Sequence, residues 1–300
     1  MKYLITGGTG FIGSCFIKTL SSTKDSVIIL SRKKTGELNN CRFINNLSLI
    51  NNDEKIDCII NLAGKPIDCR WTKANKKELE NSRLSVTKSL EDLVERLTVK
   101  PKIIVSASAI GFYGDYNNEI LDESSIGKKS FTHKLCQEWE NAALKLEKYG
   151  TRVCIMRLGV VLGPNGGFIK KISLPFKLGL GGNIGNGKQP FSWIHIDDVI
   201  GAMKFIIENK TCFGVYNFVA PETINNEKIT RYIGEILNRP TLFNIPAFLI
   251  KIVFGEMGVT LLLQGNKIMT TRLLDQGYIF KYNDAMSALN DIYHNPLHLI

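Results

Sequence analysis

The sequence predicts an α/β protein in which a doubly wound parallel sheet is followed by a smaller, mainly helical C-terminal region. Three observations support this fold class. Short apolar runs alternate with segments of helical periodicity over the first 158 residues, a glycine-rich turn directly follows the first run, and glycine-rich loops and helical patterns replace this alternation beyond Gly159. Because alternating strands and helices favour parallel pairing with right-handed crossovers, we expect the first half to form the sheet.

The predicted elements of the sheet follow one another along the chain. The strands are Lys2–Thr6, Ser26–Leu30, Cys41–Ile44, 57–62, 102–107 and Arg152–Leu158, and the helices are Phe11–Leu20, 76–98 and 131–149. Residues 191–207 have the pattern of a short strand and a helix. We therefore expect a sheet domain over 1–158, to which 191–218 returns. Because ligands of open α/β sheets lie beyond the carboxyl ends of the strands, we expect a substrate-binding region over 159–190 and 219–300.

The turn between the first strand and the first helix has the spacing of a phosphate-binding loop. Gly8, Gly10 and Gly13 fit the pattern G-x-G-x-x-G, and Gly7, Gly10 and Gly13 fit the looser G-x-x-G-x-x-G. In either pattern the missing Cβ atoms allow a tight turn and close approach of the backbone to phosphate. The helix N-terminus then offers unpaired N–H groups to an anion. A dinucleotide site is favoured over an ordinary tight turn, because a strand precedes the glycines and a helix follows them.

Basic residues follow the second strand, where an NAD-selective protein carries an acid. About 20 residues past the turn, Asp or Glu would bind the ribose 2′-hydroxyl, but Ser31, Arg32, Lys33 and Lys34 stand there. Guanidinium suits phosphate as a forked donor, so we predict that Arg32 and Lys33 hold a 2′-phosphate. The cofactor is then NADP(H) rather than NAD(H). The alternative is a solvated basic loop.

Composition and charge narrow the class of protein. The 300 residues are 44% hydrophobic, which is enough for a large core. The apolar stretches at 245–254 and 259–263 are too short to cross a membrane, and we expect them to form buried helices or a lid surface. The net charge of +10 comes from dispersed lysines without a nucleic-acid motif, so we expect neither a nucleic-acid nor a membrane partner.

The cysteines and histidines predict no metal site. The seven cysteines are scattered without a C-x-x-C pair, so we expect reduced thiols, with Cys58 and Cys154 in apolar strands. His294 and His298 are separated by Pro296, which breaks the helix that a metal-binding pair would need. No signal sequence precedes the first predicted strand, and we expect a cytoplasmic protein.

Longer motifs resemble a known family. They are TGGTGFIG (6–13), NLAGKPI (61–67), NSR (81–83), SASAIGFYG (106–114), FTHKLCQEWE (131–140), RLGVVLGPNGG (157–167) and LPFKLGLGGNIGNGKQPFSWIHIDDV (174–199). These segments resemble the extended short-chain dehydrogenase/reductase superfamily, the NAD(P)-dependent epimerases and dehydratases, and more closely the bacterial epimerase-family proteins of the YfcH type. The resemblance covers the chain from end to end. It implies a Rossmann domain that binds NADP(H) and a C-terminal substrate domain.

The resemblance also implies site residues. Together with the glycine turn, the NADP(H) contacts would be Gly7, Thr9, Gly10, Phe11, Ile12, Gly13, Ser31, Arg32, Lys33, Leu62, Ala63, Gly64, Glu78, Arg83, Lys134 and the backbone of Gly159 and Val160. Members of the superfamily work with a Ser or Thr and a Tyr-x-x-x-Lys pair, in which the phenolate exchanges a proton and the lysine lowers its pKa and holds the nicotinamide ribose. Ser108 matches the serine and Lys134 matches the lysine.

The tyrosine of that pair is missing. Four residues before Lys134 stands Ser130, whose hydroxyl is too weak an acid to serve a carbonyl near neutral pH. His133 carries an imidazole, the side chain most often used for proton exchange near neutral pH, and Tyr113 could enter the site from the loop after the fifth strand. Either is a candidate acid. The alternatives are a structural hydrogen bond for His133 and simple packing for Tyr113.

Structural roles are favoured for several other residues. His195 and Asp198 stand in a motif that resembles one linking the two domains in the family. We expect Asp197 or Asp198 to cap the following helix and His195 to bond the backbone across the interface. Trp71 and Trp193 are candidates for lining the pocket, although a buried indole with a bonded N–H is favoured for Trp193.

Two functions remain open. An NADP(H)-dependent oxidoreductase or epimerase, acting on a small carbonyl or sugar-nucleotide-like substrate, would use Ser108 to polarise the oxygen and Lys134 to orient the ribose. A non-enzymatic NADP(H)-binding regulator would need no proton donor. The missing tyrosine favours the regulator, whereas Ser108, Lys134 and the glycine-rich loops favour the enzyme, which we prefer. The sequence indicates neither the substrate nor the oligomeric state.

Overall fold

Thirteen β-strands lie within the described part of the chain. The structure is a computed structural model that describes residues 1–32, 40–117, 119–164 and 166–295. The strands are β1 (Lys2–Thr6), β2 (Ser26–Leu30), β3 (Cys41–Ile44), β4 (Cys58–Asn61), β5 (Ile103–Ala109), β6 (Ile120–Leu121), β7 (Arg152–Leu158), β8 (Val160–Leu162), β9 (Pro190–Phe191), β10 (Trp193–His195), β11 (Gly214–Phe218), β12 (Ile224–Asn225) and β13 (Lys267–Ile268).

Nine α-helices occur in the same described ranges. They are α1 (Phe11–Leu20), α2 (Lys73–Arg96), α3 (Phe131–Leu144), α4 (Gly167–Lys177), α5 (Ile196–Glu208), α6 (Asn226–Leu237), α7 (Ala247–Gly258), α8 (Thr271–Asp275) and α9 (Ala285–His294). Short 3-10 turns are found at Leu47–Leu49, Ile110–Tyr113 and Lys145–Tyr149, and a π-helical turn at Val259–Leu263.

Seven strands form the parallel sheet that the sequence predicts. Their order is β11-β7-β5-β4-β1-β2-β3, so the sheet is wound in both directions from β1, which confirms the predicted doubly wound α/β fold. β1, β2, β3 and β7 have the predicted bounds, and β4 and β5 differ from them by one or two residues. β11 pairs with β7 and adds the edge strand.

The two faces of the sheet are covered by different helices. Ile5 lies in one apolar cluster with Phe16 of α1 and Met203 of α5, whereas its neighbour Leu4 lies in a second cluster with Leu90 of α2. This alternation places apolar side chains on both faces, as in other buried parallel sheets. Because helices cover both faces, a ligand can approach the sheet at the carboxyl ends of its strands.

The predicted helix 131–149 is wrong in its last part. α3 ends at Leu144, and the chain continues as the 3-10 turn Lys145–Tyr149. Gly150 follows with φ 78°, the left-handed conformation that commonly closes a helix. The tighter turn before it brings the chain to that closing position.

The residues beyond β8 have an apolar core of their own. Ile169 of α4, Ile229 of α6 and Leu289 of α9 lie in one cluster with Trp193 of β10. Three helices that are distant in sequence thus pack around β10. These helices confirm the predicted helical character of the C-terminal region.

His195 and Asp198 connect α5 to the C-terminal segment. The prediction that Asp197 or Asp198 caps α5 is wrong, because β10 runs directly into α5 and both aspartates already lie in its first turn. His195 is the N-cap residue, and its Nδ1 accepts a hydrogen bond from the Asp197 N–H at 3.1 Å. The buried Asp198 carboxylate accepts the N–H groups of Lys281 at 2.7 Å and Tyr282 at 3.0 Å. It therefore fixes the C-terminal chain against α5.

α7 is buried on one side and exposed on the other. Ile250 and Met257 are buried, but Phe248 and Ile252 are 60% and 66% exposed. The helix packs against the molecule on one side only, so the buried-helix alternative for 245–254 is wrong, and the lid-surface alternative stays a prediction. None of the described helices offers the unbroken apolar length that a bilayer crossing requires.

Candidate functional site

The turn after β1 depends on glycines for its shape. Gly7 has φ +69°, and a Cβ there would stand 2.6 Å from the carbonyl oxygen of Leu62. Gly10 donates its N–H to the Gly7 oxygen at 2.9 Å, and a Cβ on Gly13 would lie 2.5 Å from the same oxygen. A Cβ on Gly8 would meet side chains, at 2.9 Å or more. The looser of the two patterns, Gly7-Gly10-Gly13, therefore contains the residues that close the turn.

The N-terminus of α1 is open. Its N-cap residue, Gly10, has no side chain to accept a hydrogen bond, and no acidic residue lies in the first turn. Thr9 and Gly10 are exposed, and Phe11 and Ile12 are half-buried. The free backbone N–H groups and the positive end of the helix dipole form an arrangement that binds phosphate.

The glycine-rich loop after β8 lies against this turn. A Cβ on Gly166 would stand 2.1 Å from the Phe11 ring, and one on Gly163 would stand 2.8 Å from it. Glycines at these two positions let the loop approach the ring closely. The region beyond β8 thereby covers one side of the glycine turn.

The end of β2 lies beside the glycine turn. β1 and β2 are parallel neighbours whose register pairs Thr6 with Leu30. Ser31 donates its N–H to the Ile44 oxygen at 2.9 Å, and Arg32 is exposed. Lys33 lies outside the described residues. Arg32, one of the two predicted cations, therefore follows the strand that pairs with β1.

A buried polar network connects the three neighbouring strands β1, β4 and β5. Thr6 Oγ1 donates to Asn61 Oδ1 at 2.7 Å, and Asn61 Nδ2 donates to Thr87 Oγ1 at 3.0 Å and Ser106 Oγ at 3.2 Å. The Ala63 N–H donates to Thr6 Oγ1 at 3.2 Å. The chain leaving β4 is thus held over the end of β1, and the sequence analysis did not identify this network.

Arg83 and Glu78 are engaged within the protein. Arg83 donates to the carbonyl oxygens of Leu79 at 3.0 Å and Lys65 at 3.1 Å, and burial lowers its pKa. A Cβ on Gly64 would lie 3.1 Å from its guanidinium. Glu78 pairs with Lys65 near the surface. The cofactor contacts expected of Arg83, Glu78 and Gly64 stay predictions.

The backbone at Gly159 and Val160 is closely packed. The Gly159 N–H donates to the backbone carbonyl oxygen of Phe218 at 3.0 Å, and the Val160 N–H donates to the backbone carbonyl oxygen of Ser192 at 2.9 Å. A Cβ on Gly159 would stand 2.8 Å from Val219. Both N–H groups are used inside the protein, and the cofactor contacts of these residues stay predictions.

A cavity of about 960 Å³ lies at the start of α3. It contains Ser130, His133 and Lys134, whereas Ser108 and Tyr113 are not among its described lining residues. The full lining is Phe112, Glu123, Ser124, Ser125, Ile126, Gly127, Lys129, Ser130, His133, Lys134, Gln137 and Arg157.

Ser130, His133 and Lys134 differ in how they are held. Ser130 is the N-cap of α3, and its Oγ accepts the His133 N–H at 3.0 Å. His133 Nδ1 lies 2.5 Å from the Phe112 carbonyl oxygen, so that nitrogen carries the proton and Nε2 is the one that can gain a proton. Lys134 is 62% exposed, with a loose 3.7 Å ion pair to Glu138. Its ammonium group is placed to reach a ligand.

Ser108 and Tyr113 belong to a buried network. Ser108 is 2% exposed, and its Oγ donates to Glu140 Oε1 at 2.6 Å. Tyr113 is fully buried, donates to Asn217 Oδ1 at 2.7 Å and accepts from Arg157 Nη1 at 3.1 Å. Burial also raises the pKa of the Tyr113 phenol. Tyr113 therefore matches the packing alternative, and a polarising role for Ser108 would require its hydroxyl to leave Glu140.

Glu123 is a cavity residue that the sequence analysis missed. Its Oε1 accepts the Asn217 N–H at 3.0 Å, while Oε2 is buried without a hydrogen-bond partner among the described residues. Burial raises the pKa of this carboxyl group. Such a group holds a proton to higher pH than a surface glutamate does. Its place in a polar loop gave no pattern by which the sequence could distinguish it.

Trp71 and Trp193 are both buried. Trp71 Nε1 donates to the Ile67 carbonyl oxygen at 2.9 Å, and the centroids of the Trp71 and Phe131 rings are 4.9 Å apart. Trp193 is fully buried, but its indole N–H has no partner within the described ranges, so the expected bonded indole is wrong. The apolar cluster around β10 encloses the ring without an acceptor.

One group of side chains has the spacing of a metal site. His195, Asp197 and Asp291 each offer a ligand atom within 4.8 Å of the others. Lys281 Nζ bonds Asp197 at 2.7 Å, and His195 Nδ1 already accepts an N–H. A lysine and a backbone N–H thus already bond two of these three side chains, and the absence of a metal stays our prediction.

Comparisons with known proteins agree with this geometry. The family model described as NAD dependent epimerase/dehydratase family matches residues 3–218, and a domain of unknown function, DUF1731, matches residues 245–292. The chain is 34% identical to an epimerase family protein SDR39U1 homolog, chloroplastic, from Arabidopsis thaliana, covering 97% of this chain and 86% of the relative. It is also 34% identical to an epimerase family protein of Staphylococcus saprophyticus, covering 97% and 99%.

A solved structure is also similar over the whole chain. The crystal structure of human epimerase family protein SDR39U1 with NADPH superposes with a TM-score of 0.90 at 33% identity, covering 98% of this chain and 100% of that one. The family model covers residues of all seven strands of the sheet, and both relatives align over 97% of this chain. The chain therefore belongs to the NAD dependent epimerase/dehydratase family.

Proposed function

We propose that this protein binds NADP(H) across the carboxyl ends of its parallel strands. The observation that carries the proposal is the open N-terminus of α1, whose glycine turn leaves backbone N–H groups for the pyrophosphate. The similar human protein was crystallised with NADPH, which supports the same cofactor here. The proposed contacts are the residues that the family resemblance implies, from Gly7 to Val160.

Selectivity for the 2′-phosphate rests on Arg32. Its exposed guanidinium follows β2, beside the glycine turn, where an acidic residue would instead bind the 2′-hydroxyl of NAD(H). A forked guanidinium forms charge-assisted hydrogen bonds with phosphate. We expect Lys33 to contribute a second cation.

The reaction we propose is NADP(H)-dependent oxidoreduction or epimerisation of a small carbonyl or sugar-nucleotide-like compound. The 960 Å³ cavity beside Lys134 is large enough for such a molecule together with the nicotinamide. Lys134 would hold the ribose, and His133, through Nε2, would exchange the proton that the absent tyrosine handles elsewhere in the family. Residues 159–190 and 219–300 would supply the substrate-binding walls.

Binding measurements test the cofactor proposal. By calorimetry, NADPH should bind more tightly than NADH. Arg32→Ala should lower the affinity for NADPH roughly 10-fold or more and have little effect on the affinity for NADH. Arg231→Ala removes an exposed arginine of α6 and serves as the matched control. Tighter NADH binding, or an unchanged preference in Arg32→Ala, would contradict the proposal.

A second candidate function is a non-enzymatic NADP(H)-binding regulator. The specific observation in its favour is Ser130, which occupies the tyrosine position and serves as the N-cap of α3. NADPH oxidation with a panel of aldehydes, ketones and nucleotide sugars separates the two functions. Turnover that falls in Lys134→Ala supports the enzyme, whereas intact NADPH binding without turnover supports the regulator.

The cysteines support the expected cytoplasmic location. All seven thiols are free, and Cys58 and Cys154 are buried in β4 and β7, which confirms their predicted apolar setting. Unpaired cysteines suit a reducing compartment. The Arabidopsis relative is described as chloroplastic, so fractionation of the native cells is the direct test.

A further inference from the structure

A second cavity, of about 530 Å³, lies where β9 and β12 pair and α6 begins. Its lining consists of Lys188, Pro190, Thr223, Ile224, Asn225, Glu227, Lys228, Arg231 and Lys267. None of these residues lines the cavity at α3, and none belongs to the predicted cofactor contacts. The cavity at α6 is therefore a separate candidate site, which the proposed function does not use.

Three segments of the chain meet around the cavity at α6. The Glu227 N–H in the first turn of α6 donates to the Gly187 carbonyl oxygen at 2.9 Å, so the chain before β9 is bonded to the helix. The third segment passes β9 closely, because a Cβ on Gly265, two residues before Lys267, would stand 2.0 Å from the Pro190 oxygen. Side chains that are distant in sequence are thus brought to one place by the backbone.

Positive charge predominates in this lining. Lys188, Lys228 and Lys267 each come from a different one of the three segments, and Glu227 is the single acid among the described lining residues. Lys228 is paired with Glu222, whose Oε1 lies 2.7 Å from the lysine Nζ. Neither Lys188 nor Lys267 forms an ion pair with an acidic side chain in the described part of the chain. Two ammonium groups of the lining therefore lack a direct counter-charge.

The charge of the lining favours a phosphate group as the ligand. Arg231 adds a further cation at the rim, where it is 63% exposed and lies 3.5 Å from Glu235. Cations that converge on one cavity repel one another and attract an anion. A phosphomonoester carries close to two negative charges near neutral pH, which matches the two unpaired lysines, and lysine is a common ligand of phosphate.

The size and the rest of the lining indicate an organic phosphate. The volume of the cavity falls within the roughly 300–1,000 Å³ of small-molecule sites and exceeds what inorganic phosphate fills. Pro190 and Ile224 offer apolar contact, and the exposed Thr223 hydroxyl can donate or accept a hydrogen bond. Since the described lining contains no aromatic ring on which a nucleobase could stack, a sugar or polyol suits this cavity better than a nucleotide.

We infer that the cavity at α6 binds the phosphate ester of a small sugar or polyol, and that Lys188 and Lys267 hold the phosphate. The inference is independent of the proposed function, because the phosphates of NADP(H) are assigned to the glycine turn and to Arg32. A protein that failed to bind NADPH would still show this second site.

Calorimetry with glucose 6-phosphate on the full chain tests the inference. The wild type should bind the sugar phosphate with the same affinity in the presence and in the absence of saturating NADPH. Lys188→Gln/Lys267→Gln should lower that affinity roughly 10-fold or more, because it removes both unpaired charges. Lys145→Gln/Lys210→Gln removes two exposed lysines outside the lining and should bind as the wild type does.

Two other anions test the class of ligand. Malate should bind at least about 10-fold more weakly than glucose 6-phosphate, because its two charges do not lie on one centre. Inorganic phosphate should also bind more weakly, because it leaves the contacts to Pro190 and Ile224 unmade. Equal affinity for malate would contradict the phosphate part of the inference, and equal affinity for inorganic phosphate would contradict the sugar part.

NMR on the wild type locates the site without a variant. During the titration with glucose 6-phosphate, the amide resonances of Lys188, Thr223 and Lys267 should shift, whereas those of the glycine turn should not. Absence of binding, equal losses in the two double variants, competition with NADPH, or shifts confined to the glycine turn would each overturn the inference.

Discussion

Arg157 of β7 and Glu140 of α3 form a buried, bidentate ion pair. Arg157 Nε and Nη2 lie 2.9 Å from the two carboxylate oxygens of Glu140, and both side chains are 5% exposed. Ser108 and Tyr113 extend the network from β5 and the turn after it. The pair therefore fixes α3, which carries Ser130 and Lys134, against the sheet.

Removing the charge of one partner of the Arg157–Glu140 pair should lower the stability of the protein. Glu140→Gln keeps the shape of the side chain but leaves the Arg157 guanidinium as an uncompensated buried charge, and we expect a loss of about 3–5 kcal/mol in the free energy of unfolding. Urea denaturation measures it. Glu138→Gln, on the same helix at 39% exposure, is the control and should cost about 1 kcal/mol or less. Equal losses in the two variants would show that the pair does not anchor α3.

Gly7 should tolerate alanine poorly for two separable reasons. Its φ of +69° costs an alanine roughly 1–2 kcal/mol, and the 2.6 Å approach to the Leu62 oxygen adds a backbone clash. Gly150 has φ +78° with nothing within 4 Å of a Cβ, so Gly150→Ala isolates the conformational cost. We expect Gly7→Ala to lose at least about 3 kcal/mol and to weaken NADPH binding, as measured by denaturation and calorimetry.

A Gly7→Ala protein as stable as Gly150→Ala would contradict this account. In that case the turn would have to relax away from Leu62, and the close passage of the chain after β4 would not be required for the site.

The sequence predicted the sheet well because local patterns determine it. Lys2–Thr6 and Arg152–Leu158 each contain an unbroken apolar stretch, 3–5 and 153–156, and the structure reproduces the predicted bounds of both strands. The start of α2 was placed three residues late, because its N-cap bond from Asn75 N–H to Thr72 Oγ1 lies upstream of the apolar periodicity.

Contacts between distant segments could not be predicted in the same way. Glu140 and Arg157 are 17 residues apart, and Tyr113 and Asn217 are 104 apart, so no spacing rule connects them. The choice between a buried helix and a lid surface for 245–254 was left open for a related reason. Apolar composition indicates that a surface needs covering, but it does not indicate whether the same chain covers it.

Lys134 should contribute to cofactor affinity. Its 62% exposed ammonium is loosely paired with Glu138, so little has to be broken before it binds the ribose. We expect Lys134→Ala to weaken NADPH binding roughly 10-fold or more by calorimetry. Lys129→Ala removes another lysine that lines the cavity and should change affinity less than Lys134→Ala. Equal effects of the two changes would indicate general electrostatic attraction instead of a specific contact.

Glu123 should make the stability of the protein fall as pH rises. Burial raises the pKa of its carboxyl group above the usual 4.5, so the folded chain binds this proton more tightly than the unfolded chain. Its contribution to stability is therefore greatest below pH 4.5, declines as pH rises to the folded-state pKa, and stays low above it.

Glu123→Gln keeps an oxygen to accept the Asn217 N–H and removes the charge. The variant should be more stable than the wild type at pH 8, and the difference should shrink towards pH 4.5 in denaturation series. Glu119→Gln, an exposed neighbour, should leave the profile unchanged. If the wild type were instead more stable than the variant at pH 8, contacts of the Glu123 carboxylate would have to stabilise the protein by more than its burial destabilises it.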